Sequence, residues 1–235
     1  IRRTSGELIA ARGLIDTANE WLAGTDAKWN GWKKRWTFLT GGQPAILEFA
    51  HYEGGIKGQQ KKYGGTYQYI GVDEVTEFYE DEYRFLFRSL RRPKDMPVPL
   101  RMRSTGNPIG VGAPFVKQRF IVEGNKTITE KIGDEMIIHE RRFIPAKLDD
   151  NPFVKDEDYE KSLKEMGPYY FQALRHGDWD VKPPGKMFRR QDFRIVPVAP
   201  SGCWWVRAWD LAGTEDEEAS GQTSWTVGLK MGTDG

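Results

Sequence analysis

One stretch of the chain carries our prediction of the fold: Tyr67-Gln68-Tyr69-Ile70-Gly71-Val72-Asp73-Glu74. Its aromatic and β-branched residues predict a strand over 67–72, and the two acids follow at the carboxyl end of that strand. A nucleotide-hydrolysing site needs such a pair, because the first carboxylate can hold Mg²⁺ through its water shell and the second can polarise the attacking water. The alternative interpretation is a strand that simply ends in solvated acids.

A second polar strand end follows further along the chain. Residues 100–105 alternate as a strand does, and Gly106-Asn107-Pro108 comes directly after them. Between the two strands, apolar residues at helical spacing predict a helix near 79–90. A strand–helix–strand order favours an α/β layer architecture, in which the carboxyl ends of parallel strands form the ligand-binding edge. The alternative is an ordinary turn, since Gly, Asn and Pro all favour turns.

The segment before this region predicts smaller elements. Residues 7–22 carry apolar side chains at three- and four-residue spacing, which predicts one amphipathic helix. Two short strands are predicted at 35–40 and 45–49, joined by a glycine-containing turn. Residues 54–65 are rich in glycine and lysine and are interpreted as a loop.

The C-terminal third predicts a change of character. Asp156 is a candidate cap for a helix that ends at Gly167, and a shorter helix is expected from Pro168 to Gly177. The run Lys182-Pro183-Pro184-Gly185 indicates a boundary, after which strands are predicted at 203–210 and 224–231. We therefore expect three parts, at 1–146, 147–184 and 185–235.

Composition excludes several classes of protein. The 13% aromatic content argues against disorder, and 35 basic against 34 acidic residues give a net charge of +1, which favours no partner by itself. The single Cys203 excludes an intrachain disulfide and suits a reducing compartment. No apolar run approaches the roughly 20 residues that span a bilayer, so no membrane is expected. The opening Ile1, without Met, is interpreted as the start of a piece of a longer protein.

Charge is nevertheless polarised locally. Residues 73–82 hold six acids, whereas residues 84–119 hold one acid and nine basic residues, among them Arg88, Arg91 and Arg92. Such a basic strip can follow a phosphate backbone without reading its sequence, and one arginine could instead act as a finger toward a neighbouring subunit's nucleotide. The alternative is that these arginines pair with the acids or are solvated.

Aromatic and histidine side chains are assigned structural roles. Tryptophans cluster at 29–36 and at 204–209, and we expect them to fill cores rather than to stack on bases. His51, His139 and His176 lie far apart in sequence and show no metal-ligand spacing.

Several motifs, in the right order along the chain, resemble the large terminase subunit of tailed bacteriophages, the ATP-driven motor that packages and cuts DNA. Residues 67–78 look like that family's Walker B strand and its exit, and Arg88-Ser89-Leu90-Arg91 continues the similarity. Arg103-Ser104-Thr105-Gly106-Asn107-Pro108 resembles its coupling motif. Residues 150–152 and 174–179 resemble the segment that closes the ATPase domain, and Arg207-Ala208-Trp209-Asp210-Leu211-Ala212 resembles the opening of its nuclease.

The resemblance implies a fold and a set of residue roles. The fold would be part of a P-loop (ASCE-type) ATPase sheet with a helical lid, followed by the first strands of an RNase H-like nuclease. Asp73 would associate with Mg²⁺, and Asp73, Glu74 and Asn107 would be the catalytic residues of the ATPase. Thr105, Gly106 and Asn107 would couple nucleotide state to movement. Asp210 would be the first metal-binding carboxylate of the nuclease, which uses paired Mg²⁺ or Mn²⁺ ions.

The resemblance also implies partners, and this sequence differs from the family's pattern at some positions. The expected partners are ATP, double-stranded DNA, a portal protein, a small terminase subunit and other copies in a ring, in the host cell cytoplasm. No G-x-x-x-x-G-K-[ST] P-loop occurs in these 235 residues, so we expect the piece alone to bind ATP poorly and to be inactive. Gln222-Thr223-Ser224 stands where many relatives place an Asp, and the acids at 215–218 are interpreted as a solvated loop.

Two other functions stay open. One is another ring-forming nucleotide motor, such as a helicase, which would lack an RNase H-like continuation. The other is a non-catalytic DNA-binding or structural relative that keeps the fold with an inert site.

Overall fold

The computed structural model describes residues 1–39, 42–52, 65–94, 96–132, 135–153, 157–182, 194, 196–198, 201–211 and 226–233. The chain divides into two compact units, Ile1–Lys182 and Pro183–Gly235. The architecture is mixed α/β and contains several small sheets. Within the described ranges no helix is long and apolar enough to cross a membrane.

The chain begins with two short helices rather than one. Helix α1 (Ser5–Ile9) starts at a capping box in which the Glu7 amide donates to the Thr4 hydroxyl and the Thr4 amide to the Glu7 carboxylate. Helix α2 (Leu14–Leu22) follows. The prediction of a single helix over 7–22 is therefore wrong. Arg12 takes a left-handed φ of 57°, and a Cβ at Gly13 would lie 2.7 Å from the Ala10 carbonyl oxygen, so the chain turns there instead of continuing as a helix.

A three-stranded antiparallel sheet comes next. It consists of β1 (Lys28–Asn30), β2 (Arg35–Phe38) and β3 (Ala45–Glu48), and β1 was not predicted. Trp36 is buried, and its indole N–H donates to Asn19 on α2 at 3.1 Å. Trp32 is 90% exposed, so the expectation that this tryptophan cluster fills a core holds for Trp36 and is wrong for Trp32. Most of the predicted loop at 54–65 lies outside the described residues.

The parallel pair is formed by β4 (Tyr69–Val72) and β5 (Arg101–Ser104), in the register that places Val72 opposite Ser104. Helix α3 (Glu80–Leu86) and a 3-10 turn (Phe87–Ser89) connect them. The predicted strand–helix–strand order is thus confirmed. Ile1 pairs with the other edge of β4. The Ile1 amine donates to the Gly71 carbonyl at 2.6 Å, and the Asp73 amide donates to the Ile1 carbonyl at 2.9 Å.

The core lies between β4 and the elements around it. Its buried members are apolar and aromatic, and most of the hydrophobic stabilisation is expected from them: Tyr52, Ile70, Val72, Val75, Phe78, Tyr83, Leu86 and Val116. Arg3 also reaches this region, where it forms an ion pair with Glu82, a carboxylate that is only 4% exposed and that also accepts the Tyr79 amide.

After β5 the chain forms helix α4 (Ala113–Val116), a π-helix (Lys117–Val122) and the hairpin β6 (Lys126–Ile132) with β7 (Glu135–Arg141). The hairpin was not predicted. Its strands mix charged and hydroxyl side chains with isoleucines, and apolar residues such as Ile138 are exposed on it. The sequence therefore lacks the regular alternation of polar and apolar residues that predicts a strand with one buried face.

A helical segment ends the first unit. Helix α5 (Glu157–Glu165) and helix α6 (Pro168–His176) were both predicted, and Gly177 ends α6 in the left-handed conformation. Arg175 of α6 forms an ion pair with Glu160 of α5 (3.7 Å) and another with Asp149 of the preceding 3-10 turn, Leu148–Asp150 (2.6 Å). The candidate cap Asp156 and the predicted boundary at 183–185 lie outside the described residues.

In the described part of the second unit, β8 (Trp204–Asp210) pairs antiparallel with β9 (Val227–Thr233). Both strands were predicted, the second three residues earlier than it begins. The expectation that Trp204, Trp205 and Trp209 fill a core is wrong for this unit, since all three are exposed. The acids at 215–218 and residues 222–224 lie outside the described part.

Tyr52 provides a test of the core. It is 1% exposed, and its hydroxyl has no hydrogen-bond partner among the described residues. Burial, with the nearby Glu82 and Asp81 charges, raises the pKa of Tyr52 from 10.0 to about 12. Because the pKa of Tyr52 is higher in the folded than in the unfolded state, its titration leaves the free energy of unfolding unaffected below pH 10. The free energy of unfolding then falls as the pH rises toward 12.

We expect Tyr52→Phe to leave stability unchanged at pH 7 or to raise it by up to about 1 kcal/mol, because an unsatisfied buried hydroxyl is costly. The variant should also lose less stability than the wild type between pH 10 and 12. Urea unfolding at pH 7, 10 and 11.5 measures both effects. A large loss of stability at pH 7 would show that the hydroxyl has a partner.

Candidate functional site

The parallel register brings the two polar strand ends together. Thr105 continues β5, and its amide donates to the Val72 carbonyl at 3.0 Å. The Val75 amide in turn donates to the Thr105 carbonyl at 2.8 Å. These two bonds carry the pairing past the ends of both strands, so the turn that holds Asp73 and Glu74 is fixed against the segment that begins at Thr105.

Asp73 is held by two side chains. Its Oδ1 accepts the Thr105 hydroxyl at 2.5 Å, and its Oδ2 lies 2.7 Å from Arg2 Nε. The side chain is 25% exposed, so it faces solvent only in part. Of these contacts the one with Thr105 joins two residues that the sequence singled out. Arg2 was missed, because nothing in sequence pattern shows that residue 2 pairs beside residue 73.

Glu74 has an unusual backbone. Its φ of 53° and ψ of 55° place it in the left-handed region, which costs a non-glycine residue about 1–2 kcal/mol. A 3-10 turn (Val75–Glu77) begins directly after it, and the Glu77 amide donates to the Glu74 carbonyl at 2.9 Å. Arg12 and Lys34 have the same left-handed conformation, so this φ marks a tight turn at Glu74 and does not by itself indicate a function.

Glu77 adds a third carboxylate to the turn after β4, beside those of Asp73 and Glu74. One of its oxygens is buried without a hydrogen-bond partner among the residues described. Burial raises the pKa of Glu77, the charges of Glu7 and Glu74 raise it further, and Arg2 and Arg3 act in the opposite direction. The strand-end cluster, as we call Arg2, Arg3, Glu7, Asp73, Glu74, Glu77 and Thr105, is therefore a mixed-charge group in which the acids outnumber the bases.

The segment after Thr105 is docked on the turn by backbone contacts. The Gly112 amide donates to the Thr76 carbonyl at 2.7 Å. A Cβ at Gly106 would lie 3.2 Å from Val75 Cγ1, and one at Gly110 would lie 2.3 Å from the Thr76 carbonyl oxygen. Movement of the turn that carries Glu74 would consequently be transmitted toward α4.

Asn107 lies on this segment and is exposed. Its carbonyl accepts the Ile109 amide at 2.7 Å, and no hydrogen bond joins its side chain to Asp73 or Glu74 among the residues that the structure describes. Of the residues predicted to couple nucleotide state to movement, Thr105 contacts Asp73, the predicted metal carboxylate, through its hydroxyl. Gly110 and Gly112 were missed, although glycines that closely follow a strand end were a usable signal.

Arg88, Arg91 and Arg92, the arginines of the basic strip that were predicted to contact DNA or a nucleotide, are exposed. Arg88 stacks on the Phe85 ring at 4.7 Å, and Arg92 donates to the Val98 carbonyl at 2.6 Å. Within the described ranges none of Arg88, Arg91 and Arg92 makes an ion pair. Other members of the strip do pair with acids: Arg84 with Glu80 at 2.7 Å and Lys117 with Asp180 at 2.6 Å.

Asp210 belongs to the second unit. It is the last residue of β8, is exposed and lies opposite Val227 of β9. Among the described residues no group of three or more His, Cys, Asp or Glu side chains could hold a metal ion. The described strands therefore supply Asp210 alone to the predicted nuclease centre.

The strand-end cluster offers donors of the type that Mg²⁺ prefers. The carboxylates of Asp73 and Glu74, the Thr105 hydroxyl and the unpartnered oxygen of Glu77 are all hard oxygen ligands. They do not form an all-protein cage. By the chemistry of their oxygens, the carboxylates of Asp73 and Glu74 are the donors that could contact an Mg²⁺ ion that keeps most of its waters.

Comparison with known proteins adds no relative to this description. The chain matches no protein-family model, no curated protein and no solved structure.

The docking of the glycine segment can be tested at Gly110. Its φ is +122° and its Cβ position is blocked by the Thr76 carbonyl, whereas Gly24 has a φ of +82° and no atom within 4 Å of its Cβ position. We expect Gly110→Ala to lower the free energy of unfolding by roughly 3 kcal/mol or more and Gly24→Ala by about 1 kcal/mol, since only the former adds a backbone clash to the strain. Urea unfolding measures the difference, and equal losses would contradict the docking.

Proposed function

We propose that this chain is part of a viral DNA-packaging motor subunit of the large-terminase kind. In the whole protein, ATP hydrolysis at the strand-end cluster would drive double-stranded DNA into a prohead, and a separate metal-dependent site would cut concatemeric DNA. The observation that carries the proposal is the hydrogen bond between Asp73 and Thr105, which lie at the ends of two parallel strands. Motor ATPases need a metal carboxylate and a responsive polar residue at neighbouring strand ends.

The proposed roles follow from position. Asp73 would hold Mg²⁺ through water, and the ion would neutralise phosphate charge. Glu74 would orient and polarise the attacking water, since its strained backbone turns it away from the strand path. Phosphate binding by a P-loop would come from residues outside these 235. The Thr105 hydroxyl contacts Asp73 directly, so a displacement of the Asp73 carboxylate would displace Thr105 and, through the backbone, Gly106 and Asn107.

DNA would be gripped by charge rather than by sequence. Arg88, Arg91 and Arg92 are exposed and lie between α3 and β5, and phosphate contacts by such residues need no base readout. One of them could instead serve as an arginine finger in a homo-oligomeric ring. The portal protein and the small terminase subunit are proposed as further partners, and the host cell cytoplasm as the location, on the sequence resemblance alone.

Asp210 is proposed as the first metal carboxylate of an RNase H-like nuclease. The support is its place at the end of β8, within a unit separate from the one that holds Asp73. With Mg²⁺ or Mn²⁺ bound by Asp210 and further acids, such a site activates water for phosphodiester cleavage.

Two substitutions in the complete protein separate the proposed activities. Glu74→Gln should lower ATP turnover about 100-fold or more, because it removes the group that polarises water, and should leave metal-dependent DNA cleavage intact. Asp210→Ala should do the reverse. Glu80→Gln, which changes an exposed acid on the following helix, is the matched control and should alter neither.

Steady-state ATP hydrolysis and a plasmid-cleavage assay measure the two activities. Near wild-type hydrolysis by Glu74→Gln would reject the ATPase assignment and favour an inert relative. Unchanged cleavage by Asp210→Ala would reject the nuclease assignment and favour a helicase-like motor.

A further inference from the structure

Both carboxylate oxygens of Asp73 are engaged by the chain's own side chains. The Thr105 hydroxyl donates to Oδ1, and Arg2 Nε forms an ion pair with Oδ2 at 2.7 Å, although among the described residues Nε has no partner with hydrogen-bond geometry. The side chains of Arg2 and Asp73 are 23% and 25% exposed. A charge pair with this little contact with water is less screened than a surface pair. A cation that approaches Oδ2 therefore has to replace the guanidinium.

The backbone of Arg2 is fixed where it stands. Its amide donates to the Ala50 carbonyl at 3.1 Å, and its carbonyl accepts the Tyr52 amide at 3.0 Å. The preceding residue, Ile1, accepts the amide of Asp73 itself. Because the strand-like pairing holds the main chain on both sides, the Arg2 side chain is the part that can leave Asp73, by rotation about its own bonds.

The surrounding charges make Arg2 the balancing cation. Glu77 interacts with the charges of Glu7 and Glu74 as well as with those of Arg2 and Arg3. Arg3 is already committed to the buried Glu82. If the guanidinium of Arg2 leaves, the nearby positive charge that still interacts with Asp73 is the Ile1 amine, and a divalent cation at Oδ2 would restore the charge that was lost.

We infer that Arg2 is a resident counter-ion that occupies Oδ2 of Asp73 and competes there with a divalent cation, so that Arg2 sets the metal affinity of the strand-end cluster. The inference rests on the proposed function for the use of a divalent cation at this edge. Arg2 is a positioning residue in this account: it orients Asp73 while metal is absent, and metal binding frees its side chain.

Mn²⁺ alone is the probe, and loss of the free-ion signal in electron paramagnetic resonance measures its binding to the chain. Arg2→Gln should bind Mn²⁺ about tenfold more tightly than the wild type, because the competing charge at Oδ2 is gone. Arg2→Lys keeps a charge and should stay within about threefold of the wild type. Arg103→Gln removes an equal charge from an exposed position of β5 and should change the affinity less than twofold.

The double variant Arg2→Gln with Asp73→Asn should lose the increase in Mn²⁺ affinity, which would locate that increase at Asp73. Arg2→Met keeps the apolar stem and replaces Arg2→Gln if thermal unfolding shows that the Gln variant is not folded. The inference is overturned if the folded variant binds Mn²⁺ no more tightly than the wild type, if neither binds it, or if Arg103→Gln gives an equal gain.

The outcomes separate this inference from the proposed function. Tighter Mn²⁺ binding by Arg2→Gln together with full ATP turnover by Glu74→Gln supports the counter-ion and rejects the ATPase. Unchanged Mn²⁺ affinity with loss of turnover in Glu74→Gln rejects the counter-ion and keeps the ATPase.

Discussion

The parallel pairing of β4 with β5 is the constraint on which the site depends. Strand register is set in steps of one residue, and a slip by one residue would turn every side chain to the other face. Because Val72 lies opposite Ser104 in this register, Asp73 lies within hydrogen-bond reach of Thr105. The same strand β4 receives Ile1 on its other side, and this second pairing delivers Arg2 to the same carboxylate. One strand therefore organises both contacts of Asp73.

Strain and close packing follow from that arrangement. Once Val75 is bonded to the Thr105 carbonyl, the chain must leave β4 through a tight turn, and Glu74 takes the left-handed conformation there. The glycines of the following segment let its backbone touch this turn, where side chains would collide with the Thr76 carbonyl. The turn that carries Glu74 and the segment after Thr105 are thus packed together through their backbones, so a displacement of one would move the other.

Local sequence predicted the parts of the fold whose signals are local. The strand before Asp73, the helix after it and the helix that Pro168 opens were all found from spacing and from glycine or proline signals. The break at Arg12 and Gly13 was missed, because the apolar spacing continues across it while the backbone does not. Arg2 was missed for a different reason. Its partner is 71 residues away in sequence, and no pattern in one chain reports such a contact.

A double-mutant cycle on Asp73→Ala and Thr105→Val tests the central claim most directly, because it measures the interaction between the two strand ends. The free energy of unfolding is measured for the wild type, both single variants and the double variant. If the two residues are hydrogen-bonded across parallel strands, their effects should be coupled by about 1 kcal/mol or more. Effects that add to within about 0.3 kcal/mol would mean that the strand ends do not meet, and would contradict the account.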